Sequence, residues 1–160
     1  MFNVGDMVLY PLYGVGTIIE LKEMEILGSI GKYYVLKVSA TGMSVMVPVE
    51  SDKSVGLRSI IGRDAALSVI ENFPRLQSDS CPNWNKRYRE NMDLLKTGNV
   101  LDSAKVVKSL MDRERERGLS TGERRMYVQA KQILLSELEV ATEISATELE
   151  KQLYNSLSVS

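Results

Sequence analysis

The chain of 160 residues is 44% apolar and 26% charged, enough for one ordinary domain or two small ones and too hydrophobic for intrinsic disorder. It holds no histidine and a single cysteine, Cys81, so it lacks the usual base for a serine or cysteine nucleophile, the commonest zinc ligand and any internal disulfide. The net charge of −1 conceals a division: residues 84–131 carry 12 basic and 7 acidic groups, a net of +5, between residues 1–74 at −2 and residues 132–160 at −4.

The first half has strand character. "DMVLYPLYGVGTIIEL" sets apolar runs on either side of a Pro and Gly turn, which predicts two short strands. Gly28 and Gly31 mark a further turn, and "KEMEILG" (22–28) reads as strand plus turn. "KYYVLKV" (32–38) and "MSVMVPV" (43–49) are rich in β-branched and aromatic residues, with "SATG" as the hairpin connection. In the second of these the alternation sends Val45, Val47 and Val49 to a core face and displays Ser44, Met46 and Pro48 on the other. Pro48 cannot donate to a ladder, which favours an edge or a bulge. Four or five strands in about 60 residues predict a small, bent sheet or barrel.

Asp64 is the expected cap of a short helix, "AALSVIENF", which Pro74 blocks. "PRLQSDSCPN" has no periodicity and reads as a linker, with the domain boundary near residues 74–82. Beyond it the period becomes helical. Asn83 is placed to cap a helix from Trp84 to Thr97, a second helix runs from about Leu101 to Arg117 before Gly118, and "STGE" (120–123) is a capping box opening a third to about Thr142. Leu149, Leu153 and Leu157 predict a fourth amphipathic helix, which either packs on the helical domain or screens the basic block.

Chemistry concentrates around Trp84. The spacing to Tyr88, Met92 and Leu95 fits the first residue of a core stripe. The position, in a first helical turn beside Lys86, Arg87 and Arg89, fits an aromatic tool mounted on a grip for phosphates. "DRERERG" (112–118) has the pattern of a solvated, salt-bridged face. Arg124 and Arg125 stand at a helix N-terminus, where cations oppose the macrodipole and local structure alone does not favour them. Neither a Gly-rich phosphate loop nor a dinucleotide fingerprint occurs, so no enzyme, cofactor or metal is expected. Without a long apolar run or a signal-like N-terminus, the expected location is the cytoplasm.

Four blocks stand in order along the chain: "F.VGD.V.YP.YG.G", "YYVLKV" with "V.VPVE", "NW..RY..N...L..G", and "RERERGLS.GE.RM...A.QIL..EL". From about residue 2 to 140 they resemble the bacterial CarD/CdnL family of RNA-polymerase-binding transcription regulators. The resemblance implies an α+β chain: a Tudor-like β domain (1–62) that binds the polymerase β subunit, a short helix and linker (63–82), and a helical domain (83–160) that contacts promoter DNA. It implies that Trp84 wedges into the minor groove at the edge of the melted region, with Lys86, Arg89 and Arg124 on phosphates, and stabilises the open complex. The polymerase-facing residues would include Met24, Met46 and Pro48; some members carry arginines where this chain has Met24 and Met46. The β half also resembles the polymerase-binding module of transcription-repair coupling factors, whose helicase motifs this chain lacks. The alternative is an adaptor joining polymerase to a further protein through Trp84; an autonomous helix-turn-helix over residues 101–140 is disfavoured, because the helix with Arg124 and Arg125 has no Asn/Gln-rich reading face beyond Gln129 and Gln132. A monomer is expected, carried to the nucleoid by polymerase.

Overall fold

A computed structural model describes residues 2–51, 56–77 and 82–157. Cys81 and residues 78–80 of the expected linker lie outside the described residues. Five antiparallel strands come first: β1 Met7–Tyr10, β2 Gly14–Ile26, β3 Ser29–Val38, β4 Ser44–Pro48 and β5 Arg58–Ser59, in the sheet order β4-β3-β2-β1-β5. Five helices follow: α1 Arg63–Asn72, α2 Trp84–Lys96, α3 Val100–Glu116, α4 Thr121–Thr142 and α5 Ala146–Leu157. The α+β arrangement of a small open sheet and then a helical bundle agrees with the expected fold class.

The sheet differs from expectation in β2, which is one long strand rather than a short one. It runs through "KEMEI" to a two-residue turn at Leu27 and Gly28, where both φ values are positive (52° and 80°), as a tight hairpin requires. Gly31 lies inside β3 opposite Met24 rather than in a turn. A register shift between Ile18 and Glu20 bends the sheet. The alternation expected for β4 holds: Val47 is buried, Val45 and Val49 are half-buried, and Ser44, Met46 and Pro48 are exposed. β4 is an edge strand, so the missing N–H of Pro48 interrupts no interior ladder. The core face joins Val8, Ile18, Tyr34, Leu36, Val47 and Leu57.

The helices begin where side-chain oxygens can take their free N–H groups. Asn83 accepts from the Lys86 N–H, Asn99 from Leu101 and Asp102, and Ser120 from Glu123. The exception is α1. Gly62, not Asp64, occupies its N-cap without a side-chain bond, and Asp64 sits in the first turn, where a carboxylate suits the helix dipole. Pro74 falls in a 3-10 turn, Phe73–Arg75, that ends α1. Although α1 was expected in the connecting segment, its Ala66 and Val69, with Phe73, belong to the helical core. α5 packs there too through Leu149, Leu153 and Leu157.

Sheet and bundle meet along α4. Ile133 packs on Leu9 and Val15, and the Gln129 amide donates to the Leu12 carbonyl at 3.0 Å. Gly98, at φ 71°, leaves room for Pro11: a side-chain carbon there would stand 2.8 Å from the proline ring. Arg58 of β5 donates through both terminal nitrogens to the buried Glu137 carboxylate, at 2.5 and 2.7 Å, and through Nε to the Gly98 carbonyl at 2.7 Å. The Ile61 N–H completes the set at 3.1 Å from Glu137 Oε2. Removing one partner of such a pair strands the other charge, so Arg58→Ala should lose about 3 kcal/mol of unfolding free energy in urea titration. Replacing both residues with apolar ones of similar volume should recover most of that loss.

Candidate nucleic-acid interface

Trp84 begins α2 and reaches across to the start of α4. Its ring stacks on Tyr88 at 5.5 Å and an interplanar angle of 23°, and its Nε1–H donates to Ser120 Oγ at 3.0 Å. The residue nonetheless keeps 42% of its surface, while Leu95 at the far end of the stripe is buried. The core-stripe reading therefore applies to Leu95, and Trp84 marks where the stripe emerges from the bundle. Two helix N-termini meet at this point, so the positive ends of α2 and α4 are neighbours.

The cations around the ring fall into two groups. Lys86, Arg89, Arg124 and Arg125 are exposed. Lys86 pairs with Glu90 at 3.9 Å and Arg124 with Glu114 at 3.5 Å; exposed pairs of this kind contribute little and are exchanged readily for another anion. Arg87 differs from expectation. It is 3% exposed, and its Nε donates to Glu123 Oε2 at 3.1 Å, so it braces α2 against α4 and has no face to offer a phosphate. Position i+3 from Trp84 turns it inward.

Glu123 is the hub of this brace. Its Oε2 also lies 3.5 Å from Arg113 of α3, and its Oε1 accepts from the Ser120 hydroxyl at 3.2 Å. Ser120 Oγ accepts from Trp84 and from the Glu123 N–H while donating to the carboxylate, which uses its full hydrogen-bonding capacity. The alternating charges of "DRERERG" likewise find partners on other helices: Arg113 meets Glu123, Glu114 meets Arg124, and Arg115 lies over the Tyr154 ring. Sequence reading recognised Ser120 as a cap but not as the partner of Trp84. The signal was the same serine, and the second role depends on how α2 lies against α4.

On the sheet, Met24, Met46 and Pro48 share one face by register, since Met46 opposes Val35, Pro48 opposes Tyr33 and Met24 opposes Gly31. Tyr33, whose ring would meet a side-chain carbon at Gly31 at 3.3 Å, and Val35 lie between them. Sequence reading missed both, because only the cross-strand register brings them beside the methionines. The same face carries Leu9 and Val15, which α4 covers. One end of the face is thus occupied by the bundle, and Met46 and Pro48 stand exposed at the other.

Burial pushes the Glu123 carboxyl up, but the Arg87 hydrogen bond and charge, the Ser120 hydroxyl and the Arg113 charge outweigh it and hold it below the ordinary 4.5. A depressed folded value makes this stability complete above the unfolded value, and falling pH removes it as the folded carboxyl takes up its proton. Unfolding free energy measured between neutral pH and pH 3 should therefore decline below about 4.5 in the wild type. Glu123→Gln should start about 3 kcal/mol lower at neutral pH, with Arg87 left buried without its anion, and should show a shallower acid dependence.

Comparison with known proteins agrees with this two-part organisation. Residues 2–61 match the model of the CarD-like/TRCF RID domain, and residues 68–154 match that of the CarD C-terminal domain. The chain is 34% identical over 149 residues to the putative transcription factor YdeB of Bacillus subtilis (strain 168), covering 93% of this chain and 97% of that relative. A sheet matching the RNA-polymerase interaction domain, joined to a bundle matching the CarD C-terminal domain, makes this chain a member of the CarD-like family of transcription factors that interact with RNA polymerase.

Proposed function

We propose that the protein docks on the β subunit of RNA polymerase through the sheet face of Met24, Met46 and Pro48. From there it presents Trp84 to the minor groove at the upstream edge of melting promoter DNA, and so stabilises the open complex. The observation that carries this reading is an exposed indole set among Lys86, Arg89 and Arg124 where two helix N-termini converge. Arg87, as a buried brace, is left out of the DNA contact; Arg125 joins it. One copy suffices, because both contacts belong to one chain, and polymerase carries it to the nucleoid.

The physics is that of two weak contacts joined. Four exposed cations give modest, salt-sensitive affinity for DNA alone. Docking raises the effective concentration of the basic surface at the promoter. A ring driven between base steps favours the unstacked, opening duplex over the closed one, and only that difference can shift the equilibrium. With methionines on the sheet face, the polymerase contact is apolar and adaptable, so added salt should weaken DNA contact much more than docking.

The test is the lifetime of a competitor-challenged open complex formed with bacterial RNA polymerase. Trp84→Ala should shorten it on the order of tenfold, equivalent to about 1.4 kcal/mol, while polymerase affinity changes less than about twofold. Loss of both together in a folded variant would refute the division of labour. A lifetime that the wild-type protein does not extend would favour the adaptor reading.

A further inference from the structure

Gly122 is the second residue of α4, where no positive φ calls for glycine and its extra backbone freedom is lost on folding. Its local cost has a single counterpart in the surroundings. A side-chain carbon at Gly122 would meet Trp84 Cζ2 at 3.2 Å and Cη2 at 3.9 Å; beyond the helix's own backbone and the chain neighbours, no other atom of the described residues comes within 4 Å. The missing side chain of Gly122 therefore leaves the space that the edge of the indole needs.

We propose that Gly122 and Ser120 are positioning residues that hold Trp84 in its DNA-inserting orientation before DNA arrives. The inference rests on the wedge reading above and assigns to α4 the setting of the ring. Three features set it: the space left beside the Cζ2–Cη2 edge by the missing side chain of Gly122, the Ser120 hydroxyl on Nε1–H, and the Tyr88 ring against one face. Each acts on a different freedom. The stack limits tilt, the hydrogen bond fixes rotation about the side-chain axis, and the open space at Gly122 lets the ring stand this close to α4.

Two consequences favour insertion. An immobile ring has already lost the rotamer freedom that binding would otherwise have to remove. An indole N–H thrust unbonded into a base stack would leave its water without replacement; Ser120 supplies its acceptor within the protein. The cradle is in turn stiffened by the Glu123 hub, since Ser120 is held by Glu123 and Glu123 by Arg87, three residues beyond Trp84.

Trp84 is the chain's only tryptophan, so fluorescence excited where tyrosine does not absorb reports this ring alone. The experiment uses the full-length protein with Gly122→Val, Gly122→Ala and Ser120→Ala, and Ser120→Thr as the conservative control that keeps both the cap and the acceptor. The readouts are thermal stability, Trp84 emission and anisotropy in the free protein, and open-complex lifetime beside Trp84→Ala. Gly122→Val is expected to melt no lower than wild type, to shift the emission and loosen the ring, and to shorten the lifetime about fivefold, the ordering cost of one side chain. Gly122→Ala should do the same to a smaller degree, and Ser120→Thr should restore what Ser120→Ala loses. Unchanged emission and anisotropy in both Gly122 variants would overturn the proposal. So would a wild-type lifetime for Gly122→Val beside a shortened one for Trp84→Ala, which leaves the wedge itself standing. Wild-type lifetimes for both Trp84→Ala and Gly122→Val would remove the wedge reading and this inference with it.

Discussion

The two halves of the molecule are held in register by one buried carboxylate. Glu137 lies in the last third of α4 and takes two N–H groups from Arg58, in the last strand of the sheet, and one from Ile61, two residues after that strand. Burying a carboxylate is unfavourable unless its oxygens are fully occupied, so the site tolerates only the geometry in which β5 and α4 stand at this distance. The apolar contact of Ile133 with Leu9 and Val15 would by itself permit sliding. Directional bonds to Glu137 remove that freedom.

A second buried carboxylate, Glu123, does the same work at the other end of the same helix. It joins Arg87 of α2 and Arg113 of α3 to α4 and secures Ser120 at the helix start. Fourteen residues separate Glu123 from Glu137, about 21 Å along the axis. α4 is thus a rigid strut, with the Trp84 surface fastened near its N-terminus and the sheet fastened toward its C-terminus. In the proposed docking on polymerase and DNA together, a fixed span between contacts raises the effective concentration of the second only if the span matches.

Charge segregation along the chain has a three-dimensional counterpart. The acidic C-terminal segment does not trail over the basic surface; α5 seats three leucines in the helical core and brings Glu150 to Lys131 at 3.0 Å. Tyr154 receives Arg115, and Tyr127, beneath Lys131, has its hydroxyl pushed up to about 12 by burial and by nearby carboxylates. Arg115 and Lys131 of the basic block are therefore engaged by side chains of α5 and α4, while Lys86, Arg89, Arg124 and Arg125 stay exposed in the first two turns of the two helices that meet at Trp84.

What the sequence determined by itself was whatever depends on neighbours a few residues away. The change from strand to helix period, the caps at Asn83 and Ser120, the inward and outward alternation of β4 and the leucine stripe of α5 are all local, and each is found in the fold. Where local preference was weak the expectation slipped, as at the α1 cap and in the length of β2. Only the tertiary structure decided which cations are exposed and which are buried in braces. Arg87 looked as available as Lys86 and Arg89 because composition cannot register a partner 36 residues away, and the Arg58 bond to Glu137 spans 79 residues. Trp84 could be read as core or as tool for the same reason: its spacing is that of a core stripe, and its exposure follows from its place at the start of α2, beside the start of α4.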